Sequence, residues 1–243
     1  MHFHQTLVEQ TTPARQQLLD TPIIRGALGG QVSVPSYLAF LREAYHHVRH
    51  TVPLLKAMKA ALPDHHRWLD AALDEYIEEE AGHDEWILSD IAACGGDAEA
   101  VRHGPPGVAT EVMVAYAYDT IRRGNPLGFF GMVHVLEGTS VSLALLAADA
   151  IQKPLGLPDA GFSYLRSHGT LDQEHTAHFE LLMDRIDAPV DQQAIVHAAN
   201  VFYALYRNVF LSLPLPQSST DAGAGAGAAT PSGTTARPTE AIA

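Results

Sequence analysis

Cysteine is nearly missing: Cys94 is the single one in 243 residues. No internal disulfide framework can form, and the count fits a reducing compartment. Cations are scarce too, with 15 Lys and Arg against 28 Asp and Glu, a formal net charge of -13. The only basic cluster is Arg122-Arg123. Nucleic-acid binding needs concentrated positive charge to displace counterions, so neither DNA nor RNA is an expected partner. Long hydrophobic runs are also lacking. The most apolar stretch, VSLALLAADAI, is interrupted by Asp149 and is too short to span a bilayer. The first residues, MHFHQTLVEQ, carry neither the basic region nor the apolar run of a signal peptide. These absences lead us to expect a soluble, cytoplasmic protein with no membrane partner.

Apolar content falls away at the C-terminal end. From Pro214 onward the chain reads PLPQSSTDAGAGAGAATPSGTTARPTEAIA, with no aromatic residue and almost no large aliphatic one. Such a segment cannot bury enough apolar surface to offset its ordering entropy, so residues 214–243 are expected to be a disordered tail. Residues 1–213 are long enough for one domain with a sizeable core. Helical periodicity dominates there, and no alternating strand pattern appears. The expected helices run over about 3–19, 34–60, 63–93, 108–123, 126–152, 158–186 and 190–212. Ser33 with Pro35 opens one of them, the glycines of ACGGD close another, and RHGPPG, RRGNP and Pro189 punctuate the rest. The expectation is an all-α single domain of about seven helices.

Three separate helices then carry residues of the metal-binding type. Metal sites inside helical bundles often take an acidic residue three positions before a His, close to one turn, so that both side chains reach one ion. EEEAGHDEW contains that unit as Glu80 and His83. HGTLDQEH contains it as Asp172 and His175, with His168 one turn further back. Between them GMVHVLEGTS places Glu137 in an otherwise apolar helix, where a carboxylate must be paired, metal-bound or protonated. Each signal has a plain alternative. Glu80 and His83 fit a solvated charged face, His168, Asp172 and His175 fit a water-facing stripe, and Glu137 fits a core carboxylate bonded to a His or Tyr. The six together favour a metal site.

The order Glu-x2-His, an isolated Glu, then His-x3-Asp-x2-His resembles the heme-oxygenase-like diiron oxidases over about residues 5–210. EEEAGHDEW, LEGTS and HGTLDQEHTAHFE are most similar to the fatty-acid decarboxylases of that group, which form terminal alkenes. The resemblance implies a heme-oxygenase-like helical bundle, the TenA- and PqqC-like fold. It also implies two ferrous ions, Fe(2+), held by Glu80, His83, Glu137, His168, Asp172 and His175. Some members carry a further carboxylate one heptad before the first unit. Leu73 and Tyr76 stand at those positions here, which implies a more weakly held second iron. Three carboxylates against two ferrous ions leave a surplus of about one positive charge, which suits an anionic substrate.

The expected function is therefore a non-heme diiron oxidase or oxygenase. Its partners would be dioxygen and a small carboxylate-bearing substrate of fatty-acid or amino-acid type, and a homodimer is compatible with the fold. Oxidative decarboxylation, C–C cleavage, desaturation and N-oxygenation all occur on the scaffold the sequence resembles. The His-rich stretch REAYHHVRHTVP offers Tyr45, His46 and His50 as substrate-binding candidates, against a plain reading as a polar helix face with a buried Tyr. The alternative function is a metal-free TenA-like hydrolase of the thiaminase II type, or a small-molecule-binding protein on the same fold. That hydrolase needs a cysteine nucleophile, and Cys94 stands at a helix C-terminus, where the dipole disfavours thiolate. A heme enzyme would need an axial His near the N-terminus, for which His2 and His4 offer little.

Overall fold

The apolar stretch that follows Pro126 becomes the longest helix, and the other elements gather around it. The computed structural model describes residues 2–215, without the side chains of Ser142 and residues 168–176. Eleven α-helices make up the described chain, and no strand occurs among the described residues. They are α1 (Phe3–Leu19), α2 (Pro22–Leu28), α3 (Val34–Val48), α4 (Thr51–Ala61), α5 (Asp70–Glu79) and α6 (His83–Ala93). Then follow α7 (Ala98–His103), α8 (Val108–Arg123), α9 (Phe130–Leu155), α10 (Ser163–Asp184) and α11 (Pro189–Leu211). α9 packs on α10, α11 and α2, while α3 packs on α6 and α8. No single helix is long and apolar enough to cross a membrane.

Two apolar cores result. The larger joins α1, α4, α5, α8, the first half of α9, the end of α10 and α11, with Leu7, Leu54, Phe129, Met183 and Phe202 all buried. The smaller joins α3, α6, the second half of α9 and the start of α10 through Tyr37, Leu41, Ile87, Ala148 and Phe162. α9 serves both cores and bends by 47° between its segments ending at Val141 and starting at Leu143. Just before the bend, Thr139 Oγ1 donates to the Val135 carbonyl at 2.6 Å and Ser140 Oγ to the Glu137 carbonyl at 2.9 Å. Hydroxyls that bond back to the preceding turn in this way bend helices.

The structure subdivides two of the expected helices. The 34–60 segment breaks at Arg49 and His50, because Pro53 has no N–H and its ring would clash with the Arg49 carbonyl in a continuous helix. The 63–93 segment breaks at Gly82, whose φ of 90° is open to glycine and strained for other residues. Its first turn, Asp64–Leu69, is 3-10. Pro126–Phe129 is likewise a 3-10 turn before α9, and α10 starts at Ser163, after the loop at Pro158. α2 and α7, of 7 and 6 residues, are too short to show a period in sequence. α1, α8 and α11 fall within a residue of expectation.

Of the expected tail, 214–243, all but Pro214 and Leu215 lies outside the described residues. Leu213 before it is buried, and Ser36 Oγ donates to the Pro214 carbonyl at 2.6 Å. Truncation after Leu215 should leave the thermal midpoint unchanged, since the segment removed has no aromatic and almost no large aliphatic residue. Truncation after Ser212 should cost about 2 kcal/mol through loss of the buried Leu213, read by urea unfolding.

Candidate metal centre and its cavity

The two cores meet at a cavity with about 1340 Å³ of unfilled space, counting its open mouth. Its wall is apolar nearly throughout: Ile23 and Ile24 from α2, Phe40 from α3, Leu136 and Leu143 from α9 and Phe210 from α11 all contribute. Glu80 and Glu137 lie in the same wall, beside His47, Tyr76 and Tyr206, and no Lys or Arg is among the described lining residues. A carboxylate in such surroundings is costly unless a cation or hydrogen-bond donors compensate it.

Glu80 and His83 do come together, but not through the helical turn that their spacing suggests. α5 ends at Glu79, the chain reverses its backbone sense at Gly82, and α6 begins at His83. Across this turn His83 Nδ1 lies 3.2 Å from Glu80 Oε2, and both side chains are at least nine-tenths buried. The Trp86 indole stacks on the His83 ring at 4.2 Å between centroids. Glu137 reaches the cavity from α9, one turn after Val133 and shortly before the bend.

α10 supplies the helix that the third motif requires over 168–175, but the side chains of His168, Asp172 and His175 lie outside the described residues. Among the described residues no group of three or more His, Cys, Asp or Glu is arranged to hold a metal. The donor types present, carboxylate oxygen and imidazole nitrogen in an apolar cavity, nevertheless suit iron. Of the expected ligands with described side chains, Glu80 and Glu137 line the cavity, and His83 is bonded to Glu80 without being among the described lining residues.

The placement of α10 depends on a residue that sequence reasoning did not single out. Phe162, its N-cap, has no side-chain acceptor to offer. Asp90 of α6 fills the role from outside, accepting from Ser163 N at 3.0 Å, from Tyr164 N at 2.9 Å and from the Ser163 hydroxyl. Asp90 is fully buried, seven residues after His83 and so on nearly the same helix face. It therefore ties α6, with His83 at its start, to α10. A buried Asp in the middle of WILSDIAA was the available signal.

Tyr45, His46 and His50 are not among the described cavity-lining residues. Tyr37, Phe40, His47, Val48 and Thr51 line the cavity instead, a phase of the α3–α4 segment that turns 46 and 50 away. His50 Nδ1 pairs with Tyr118 OH at 3.1 Å, and Arg49 lies over the Tyr45 ring. His46 Nε2 is buried without a hydrogen-bond partner, and burial holds the pKa of His46 and His50 below the ordinary value. His47 is the imidazole that reaches the wall. Its Nδ1–H donates to the Glu43 carbonyl at 2.9 Å, which leaves Nε2 as its basic nitrogen. Glu43 itself accepts from Gly107 N at 3.0 Å and Thr110 Oγ1 at 2.5 Å, away from the site.

The model of the family described as iron-containing redox enzymes matches residues 38–207, most of the helical region. The chain belongs to this family. Its fold is the heme-oxygenase-like one, as likeness to solved structures also shows. A Shewanella denitrificans domain of unknown function with a heme oxygenase-like fold is 24% identical with a TM-score of 0.75, over 86% of this chain and 90% of its own. A TenA homologue from Pseudomonas syringae pv. tomato gives 13% and 0.69, over 86% and 90%. Heme oxygenase-1 from the cyanobacterium Synechocystis, solved in complex with heme, gives 14% and 0.68, over 87% and 91%. No curated protein matches the chain in sequence. In this member of the family His2 and the His4 backbone are tied to Asp184, and neither residue is among the described lining residues.

Two measurements check the scaffold. Asp90→Ala should cost about 1–2 kcal/mol in urea unfolding, the range for loss of a helix N-cap. His134, one turn before Glu137 on α9, has its Nε2 3.1 Å from Thr11 Oγ1, and burial drops its pKa to about 4 from 6.5. Between those values the unfolded chain binds more protons than the folded one, so stability falls as pH drops from 6.5 towards 4. Denaturant midpoints of His134→Gln across that window should fall less steeply than those of the wild type.

Proposed function

We propose that the protein is a non-heme iron enzyme that uses dioxygen to oxidise an organic acid with an apolar body. The observation that carries this reading is the pair of carboxylates, Glu80 and Glu137, in the wall of an apolar cavity whose described lining offers no Lys or Arg. A divalent metal would suit these carboxylates, and family membership favours iron. Glu80, His83 and Glu137, together with His168, Asp172 and His175, would hold two ferrous ions, the second less tightly. Bound iron would supply the activation of dioxygen.

The chain's own residues do the rest. Against three carboxylates and neutral imidazoles, two bound ferrous ions would leave a surplus of about one positive charge, which would draw a substrate carboxylate to the Glu80 and Glu137 end. The aliphatic and aromatic walls receive the apolar body of the substrate and keep water from the reacting carbons. His47, held by its Nδ1 contact to the Glu43 carbonyl, places an imidazole in the wall. The reaction class is oxygen-dependent oxidation of the acid, with decarboxylation, C–C cleavage or N-oxygenation as the outcome.

A metal-free hydrolase or binding protein is the second reading, favoured by the TenA homologue among the similar folds. A cysteine-based hydrolysis finds little support in this chain. Cys94 is buried with Sγ 3.8 Å from the Gly161 carbonyl, is absent from the described cavity lining, and burial raises its pKa.

Glu137→Gln separates the two readings, because it nearly preserves volume while removing the charge. If Glu137 holds iron, the metal-free variant should melt at or above the wild-type temperature and lose both iron-dependent stabilisation and oxygen uptake. A variant that keeps the full stabilisation by ferrous iron would remove Glu137 from the site and turn the reading to the metal-free one.

A further inference from the structure

Some hydroxyls of the cavity wall are committed to the protein itself. Tyr37 OH donates to the Gly161 carbonyl at 2.8 Å and Ser36 Oγ to the Pro214 carbonyl at 2.6 Å, so their protons are spent within the fold. Tyr206 differs. It lines the cavity from α11 and is only 7% exposed, yet its hydroxyl bonds to no described residue. Its contacts are made by the ring, edge-on to His47 at 5.8 Å and to Phe210 at 4.8 Å between centroids. Burial alone raises its pKa, with no charge or hydrogen bond acting against it. Buried hydroxyls are nearly always bonded, and each exception calls for a reason. In the wall of a binding cavity that reason is a partner brought by the ligand.

Thr51 repeats the pattern. It opens α4, lines the same cavity, and its Oγ1 likewise bonds to no described residue. His47 precedes Thr51 by four residues and meets the Tyr206 ring, so the α3–α4 segment and α11 come together on one stretch of wall. The charge around these hydroxyls limits what they can receive. The described lining holds no Lys or Arg, and its only carboxylates are Glu80 and Glu137, which the proposed function assigns to iron. A second anionic group on the substrate would meet no counterion there, and a cationic one would compete with the metal. A neutral oxygen carries neither penalty, and both hydroxyls can donate to it.

Resting on the proposed function, we propose that the acid carries an uncharged oxygen, a hydroxyl or carbonyl, on its apolar body, and that Tyr206 and Thr51 recognise it. The carboxylate is held at the Glu80 and Glu137 end, and the second oxygen accepts from the Tyr206 and Thr51 hydroxyls. Specificity follows from the same bonds. An acid without that oxygen leaves the Tyr206 hydroxyl buried and unpaired, a loss that apolar contact does not offset.

Octanoate and 4-phenylbutanoate, each with its series of monohydroxy derivatives, test this when titrated calorimetrically into the full-length protein under anaerobic conditions with ferrous iron present. At one hydroxyl position or more, the wild type should bind the hydroxy acid about tenfold more tightly than its parent. Tyr206→Phe should lose that preference while keeping the wild-type affinity for the parent acid, and Thr51→Val should reduce it. Tyr206→Phe should also melt at or above the wild-type temperature, because the hydroxyl it removes has no partner in the fold. Parent and hydroxy acids that bind alike at every position would overturn the inference while leaving the proposed function standing. So would a preference that survives unchanged in both variants. A wild type that binds none of these acids would overturn both.

Discussion

A carboxylate surrounded by apolar side chains carries a desolvation cost that only an opposite charge or several donors can offset, and this protein places two of them in one cavity wall. That constraint organises the rest of the site. A described lining without Lys or Arg leaves the compensation to a bound cation or to imidazole donors, and His83 sits 3.2 Å from Glu80 in that role. A metal adds what an imidazole cannot, since it neutralises both carboxylates and still accepts an anionic ligand.

The scaffold turns this chemistry into position by breaking its helices at chosen points. Gly82 ends the path of α5 so that Glu80 and His83 meet across a turn, at the junction of two helices rather than along one. The bend in α9 falls a few residues after Glu137, where the helix passes from one core to the other and the cavity opens between them. Asp90 caps α10 from within α6, so the helix bearing His83 and the helix that runs through 168–175 are joined by three hydrogen bonds at one carboxylate. The small side chains of α9 leave space between these junctions.

Much of this was legible in the chain, and the limits have physical causes. All-α architecture followed from periodicity, and glycine and proline signals stood beside the ends of α8 and the start of α11. Periodicity alone did not mark the breaks at Arg49–His50 and Gly82, because the apolar phase continues across both. The Glu80–His83 contact was expected from spacing, yet it is formed by a turn, so a three-residue interval led to the right pair through a different geometry. Among the histidines of α3 it is His47 that lines the cavity, one residue on from His46, and neighbouring histidines look alike in sequence. Asp90 was invisible as a cap because its partner helix begins some seventy residues later. The part of the ligand set on α10 rests on its motif and on family resemblance.

The family to which the chain belongs is described by its iron, and the similar folds, at 24% identity or less, span a heme-bound oxygenase and TenA homologues. Fold alone therefore leaves the chemistry to the cavity. The most direct test of the account is anomalous diffraction at the iron edge from crystals of the full chain loaded with ferrous iron under anaerobic conditions. The account predicts an iron peak within direct bonding distance, about 2 Å, of carboxylate oxygens of Glu80 and Glu137 and a ring nitrogen of His83. Iron bound at surface carboxylates alone, with the Glu80 and Glu137 cavity free of anomalous density, would contradict it.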